Sequence, residues 1–86
     1  ISYQPKGLIK RFLNPVQQDV VIQLTSFTSG SGNEWILYDM NGKIVHRELF
    51  TSQTIYGKLP LINSGIYILE VRMGDRMERV KISKLN

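Results

Sequence analysis

An all-β fold, a small seven-stranded antiparallel β-sandwich of immunoglobulin-like type, is what this sequence predicts, and three observations predict it. Seven short stretches carry the alternating or continuous apolar pattern of strands. Turn signals built from Gly, Pro, Asn and Ser separate them at intervals of about eight to twelve residues. No helical periodicity outlasts a single turn. The Cys and Trp hallmark of antibody domains is missing, so the likeness is one of architecture.

Ile1 to Gly7, with Pro5 and Gly7, read as a linker from an upstream segment, and the domain proper is expected from Leu8 to Asn86. A first short strand runs from Leu8 to Phe12. Asn14-Pro15 ends it, because proline has no amide proton and restricts the residue before it. In the second strand, Asp19 to Leu24, Val20, Ile22 and Leu24 share one face and Gln23 lies on the other, with Val21 partly covered. Thr25 to Gly32 is small and polar apart from Phe27 and should be an exposed loop.

The run Trp35-Ile36-Leu37-Tyr38, inside a strand from Glu34 to Asp39, is apolar throughout and suits a strand covered on both sides at the centre of the sandwich. Asp39-Met40-Asn41-Gly42-Lys43 follows. Asn-Gly between apolar segments is the strongest short hairpin signal, since both residues tolerate positive φ, and the Asp39 carboxylate can accept amide protons of the loop it opens. Ile44 to Leu49 returns, with Val45 and Leu49 expected inward and His46 and Glu48 on the opposite, exposed face. Thr54 to Leu61 carries Ile55, Leu59 and Leu61 and is interrupted by Pro60. Asn63-Ser64-Gly65 then turns the chain into a closing hairpin.

That hairpin pairs Ile66 to Met73 with Met77 to Leu85 across Gly74-Asp75. Tyr67, Leu69, Val71 and Met73 alternate with Glu70 and Arg72, burying one face and wetting the other. In the second arm Val80 and Ile82 oppose Arg79, Lys81 and Ser83, so one side is apolar and the other basic. A hairpin alone is marginal in water, and the rest of the chain must supply the opposing sheet.

With 86 residues the chain supports one modest core. Its 42% hydrophobic and 21% charged content is that of a globular domain. No apolar run approaches the roughly 20 residues of a membrane helix, and the first residues lack the pattern of a signal peptide. Zero cysteines exclude disulfides and thiolate metal sites. The net charge of +4 and pI near 9.6 do not point to nucleic acid, because the basic residues are scattered and no recognition helix or aromatic RNA-binding signature accompanies them. They are densest from Arg72 onward, where Lys and Arg on a strand face protect a sheet edge.

Catalysis, cofactors and metals are not expected. His46 has no second imidazole or thiol beside it, the acids are dispersed, and the glycines mark turns rather than a phosphate loop, which would also need a helix.

Three elements, taken in order, resemble a known family: Phe12-Leu13-Asn14-Pro15 followed by Val20-Val21-Ile22; LYDMNGKIV from Leu37 to Val45; and LINSGIYILEV from Leu61 to Val71 with KISK at Lys81 to Lys84. Together they look like the C-terminal sorting domain, type A, of the type IX (Por) secretion system of Gram-negative outer membranes. One departure is Leu13, where the family usually has proline, which loosens that turn. The resemblance implies a folded secretion signal at the C-terminus of a cargo protein that reaches the periplasm by its own signal peptide. An outer-membrane translocon would read the domain, and a sortase-like surface peptidase would remove it in the linker upstream of Leu8, the cargo commonly passing to anionic lipopolysaccharide. It also implies recognition elements: Gly65, Tyr67, Leu69 and Val71, then Lys81 and Lys84, and the turn Asp39, Asn41, Gly42 and Lys43. The residues by themselves read as turn glycines and core side chains, with Lys81 and Lys84 the best candidates for contact and the last strand the main handle. The competing reading is an immunoglobulin- or fibronectin-like accessory module that spaces domains or binds carbohydrate on Trp35 and Tyr38, against which stands the buried look of their run.

Overall fold

A computed structural model describes residues 7–86, so the linker expected over residues 1–7 lies outside the described residues except for Gly7. Seven strands form: β1 (Ile9–Phe12), β2 (Asp19–Leu24), β3 (Glu34–Tyr38), β4 (Ile44–Leu49), β5 (Thr54–Lys58), β6 (Gly65–Met73) and β7 (Arg76–Lys84). They pair antiparallel in two sheets, ordered β1-β2-β5 and β4-β3-β6-β7. This is the immunoglobulin-like sandwich, with the fourth strand on the larger sheet.

Alternation builds the core. Val20, Ile22 and Leu24 of β2 face Trp35 and Leu37 of β3 and Tyr67, Leu69, Val71 and Met73 of β6, all buried. Gly57 on β5 leaves the space that the indole of Trp35 fills, since a Cβ there would stand 2.6 Å from the ring. β3 is interior to its sheet and covered on both faces, Ile36 being buried on the side away from the core. The Thr25 to Gly32 loop is held by Phe27, whose ring lies 6.2 Å from that of Phe50, and by Asn33, which donates to the Thr28 carbonyl at 2.9 Å.

Two turns set the registers around the core. Gly74, at φ 65°, takes the first central position of the two-residue turn that closes β6 and β7 at Met73 and Arg76. In the other hairpin the Gly42 amide donates to the Asp39 carbonyl at 3.0 Å, and Gly42 alone has positive φ, at 86°. Asn41 does not use the left-handed region. The hairpin expected at Asn-Gly is therefore a three-residue connection, a type I turn followed by a glycine, in which only Gly42 uses its tolerance of positive φ. The Asp39 carboxylate accepts from the amides of Asn41 and Lys43, both at 2.9 Å, as its position at the loop mouth predicted.

Other expectations are corrected. The register of β3 and β4 shifts between Leu37 and Tyr38, so that Val45 is an extra residue and Val45 and His46 both lean toward the core. A bulge of this kind inverts the alternation beyond it. His46 and Glu48 thus lie opposite Leu37 and Trp35 on the inner face, the His46 ring 5.0 Å from that of Trp35 and tilted by 46°, while Leu49 is 69% exposed on the outer one. β5 ends at Lys58, two residues before Pro60, and Leu61 is fully exposed beside Leu13 and Leu85. Glu70, expected on the wetted face of β6, has no solvent exposure at all.

Candidate functional site

The chemistry of this chain collects on β7 and on the outer face of the four-stranded sheet. Once the Gly74 turn fixes the hairpin register, Glu70 stands directly opposite Arg79, and Arg72 lies two residues further along the same face of β6. The carboxylate accepts from Arg79 Nε at 2.6 Å, from Arg72 Nε at 2.5 Å and from the Tyr38 hydroxyl at 3.3 Å. Arg79 also lies over the Tyr38 ring, 5.4 Å from its centroid. Glu70 is therefore covered by two guanidiniums and a phenol and not by apolar core. The guanidiniums themselves stay about half exposed, each with donors to spare beyond the one spent on Glu70. Beside them Arg47 grips Glu34 with two Nη2 contacts of 2.9 and 3.0 Å.

Burial pushes the Glu70 carboxyl up, but the hydrogen bonds from Arg79 and Arg72, together with their charges, outweigh it and hold the group below its ordinary 4.5. A carboxyl with a lowered folded-state pKa stabilises the fold above its unfolded pKa and loses that contribution as pH falls through the folded value. Glu70→Gln should therefore melt below the unsubstituted chain at pH 7, and the gap should close as pH drops below about 4.5. Thermal unfolding followed by circular dichroism from pH 7 to pH 3 checks this; a pH-independent gap would remove the clamp from the stability account.

The edge of β7 is divided in two. At its C-terminal end the segment after β1 lies against it: the Ser83 amide donates to Asn14 Oδ1 at 2.9 Å, the Val16 amide to the Ser83 carbonyl at 2.8 Å, and the Leu85 amide to the Val16 carbonyl at 2.7 Å. Val16 and Lys84 thereby form a parallel bridge. Since Ser83 turns its main-chain groups away from β6, antiparallel alternation turns those of Lys81, Arg79 and Met77 the same way. Among the described residues no hydrogen bond takes them. Glu78, between them, reaches toward the other sheet and accepts from the Ile9 amide at 2.9 Å.

The positions expected to be read by a partner are scattered over this frame. Tyr67, Leu69 and Val71 are core side chains, Tyr67 donating its hydroxyl proton to the Asn63 carbonyl at 2.7 Å. Lys84 is mostly buried, its ammonium 2.6 Å from the Leu85 carbonyl. Gly65 is exposed at the start of β6, and Lys81 is exposed on the outer face of β7. Asn41, Gly42 and Lys43 are exposed at the β3–β4 turn, which Asp39 organises from beneath. Sequence reasoning missed Glu70, Arg72, Arg79 and Tyr38 as a unit, although counting back from Gly74-Asp75 sets Glu70 against Arg79. It also missed Asn14 as the residue that ties the end of β7, for which the sequence offers no local signal.

Trp35 is fully buried, which removes it as a carbohydrate-stacking platform. Among the described residues no three His, Asp or Glu side chains stand close enough to hold a metal ion, and no helix is long and apolar enough to cross a membrane. A family model described as the secretion system C-terminal sorting domain matches residues 12–84, from the last residue of β1 to the last of β7. No curated protein and no solved structure gives a match.

Proposed function

The chain belongs to the secretion-system C-terminal sorting domains, and from that premise we propose that it is a type A signal whose intact sandwich is read at the periplasmic side of the outer membrane. The type IX sorting role itself follows from the family and marks a cargo for the cell surface or for secretion. The domain is a secretion tag, so the chemistry of the whole protein belongs to the cargo. In this reading the cargo waits in the periplasm, the translocon engages the domain, and a sortase-like peptidase cuts at or before the first residues, in the linker upstream of the first core side chain, Leu8.

The observation that carries this reading is that the family match runs from the last residue of β1 through the whole of the other six strands and their turns instead of picking out one peptide. What is recognised is then a surface that the fold assembles. Lys81, Gly65 and the tip Asn41-Gly42-Lys43 present main chain or charge outward, whereas Tyr67, Leu69 and Val71 serve recognition by holding β6 and β7 in register.

The test places residues 1–86 behind a reporter with its own periplasmic signal peptide, in a bacterium with the secretion system and in its translocon-deleted counterpart. The reporter should reach the surface or medium only in the first. It should end, by mass, upstream of Leu8. A reporter confined to the periplasm in both strains overturns the reading, and an end inside residues 9–86 overturns the position of the cut.

A further inference from the structure

β7 combines three features that are independent of one another. Its main-chain groups at Met77, Arg79 and Lys81 face outward with no partner among the described residues. The side chains of the same three residues lie on the outer face, all exposed, two of them cationic. The edge is closed at one end only, where Asn14 and Val16 occupy Ser83 and Leu85. An unpaired strand edge is a template for another strand, and sheets use such edges to bind extended peptides through main-chain hydrogen bonds, with alternate side chains supplying specificity.

We infer that the Met77 to Lys81 edge of β7 binds an extended segment of a partner protein carrying carboxylates at alternate positions. The inference rests on the sorting function and names the chemistry of what reads it. A strand added there lies about 4.8 Å from β7, so its outward side chains stand directly beside Arg79 and Lys81 and meet opposite charge best as Asp or Glu. Arg79 is held for this. Glu70 and the Tyr38 ring fix its guanidinium, which still stays about half exposed, beside the equally anchored Arg72. The side chains of the added strand that point inward meet Val80, itself half-buried against the core, and are best small or apolar. The Asn14–Val16 clamp stops the added strand short of Ser83 and so limits its register. Charge supports the same occupant: Arg47, Arg72, Arg79 and Lys81 on this face outnumber Glu34 and Glu70, and both acids are already paired.

The experiment uses the full 86-residue chain and three synthetic octapeptides: alternating Thr-Glu, alternating Thr-Lys, and an acidic peptide of the same charge broken by prolines. Binding is followed by calorimetry, and amide exchange by NMR. The Thr-Glu peptide should bind, more weakly as salt rises, and should protect the amides of Arg79 and Lys81; the other two should not bind. Lys81→Pro removes an outward amide, a position where an edge strand tolerates proline, and should weaken binding about tenfold, the loss expected for a main-chain hydrogen bond without its donor. Lys81→Glu, which leaves the backbone untouched, should weaken it as well, and both variants should keep the melting transition. Absence of Thr-Glu binding overturns the inference, as does binding that protects another edge or ignores both variants. The same variants in the export assay separate the two readings. Lost export without peptide binding keeps the edge as handle and discards the acidic partner. Peptide binding with undiminished export of both variants keeps the sorting function and discards this edge as its reader.

Discussion

Trp35→Ala should lower the stability of the domain by about 3–5 kcal/mol, the range for deleting a large buried aromatic, and so remove much of the about 5–15 kcal/mol available to a small domain. The indole is wholly buried between the sheets, with Gly57 against one edge of its ring and the tilted His46 ring 5.0 Å away. Neither neighbour can close the gap. Gly57 has no side chain to move in, and His46 is tied to Glu48 at 3.0 Å. A fall in melting temperature of at least about 12 °C follows, since 1 kcal/mol is worth roughly 4–8 °C in a domain of this size. Trp35→Phe should behave quite differently. The indole Nε1 is buried without a partner, and phenylalanine relieves that unmet donor while leaving a smaller void, so the two effects oppose each other and the net cost stays below about 1.5 kcal/mol. Thermal and urea unfolding followed by far-UV circular dichroism decides both; a drop of under about 5 °C for Trp35→Ala would mean that the core repacks around the loss.

Ending the chain at Lys81 should abolish the cooperative transition altogether. The five residues removed include Ile82, whose burial alone is worth about 2–5 kcal/mol by the cost of truncating such side chains. They also include Ser83 and Leu85, which make the three hydrogen bonds to Asn14 and Val16. At about 1 kcal/mol each these bring the total near or beyond the lower bound of domain stability. The truncated chain should give a flat melting curve and broad protease sensitivity. Retention of a sharp transition would show that the domain folds without the end of β7. Export assays inherit the point: loss of secretion after such a truncation reports unfolding, and only edge variants such as Lys81→Glu report recognition.

How much of this could be read from residues alone depended on range in the chain. Strands with strict alternation and turns with glycine were legible, and β2, bounded at Asp19 and Leu24, was found to the residue. Alternation failed where the backbone slips: the bulge at Val45 inverted the faces of His46, Glu48 and Leu49, and nothing in a period-two pattern announces an inserted residue. Glu70 was misread for another reason. Its face does point away from the core, and its burial is made by Arg79 and Arg72 lying over it, a fact of cross-strand register and not of composition. The clamp on Ser83 joins residues 69 positions apart in the chain, beyond the reach of any local rule. Of the candidate site, the exposed Lys81 and the Asp39 turn were visible in advance, while the open edge beside Lys81 emerged only once the sheets were assembled.

The Asn14–Val16 clamp carries a consequence in time. A chain is synthesised from its N-terminus, so the segment that receives β7 is made well before the strand that seats in it. Ile82, Ser83 and Leu85 must all have left the ribosome before the final seam can close. A chain broken off just before Ile82 would carry six whole strands and an unseated stump of the seventh. The two halves of the seam lie at opposite ends of the domain, so folding cannot finish until both have been made.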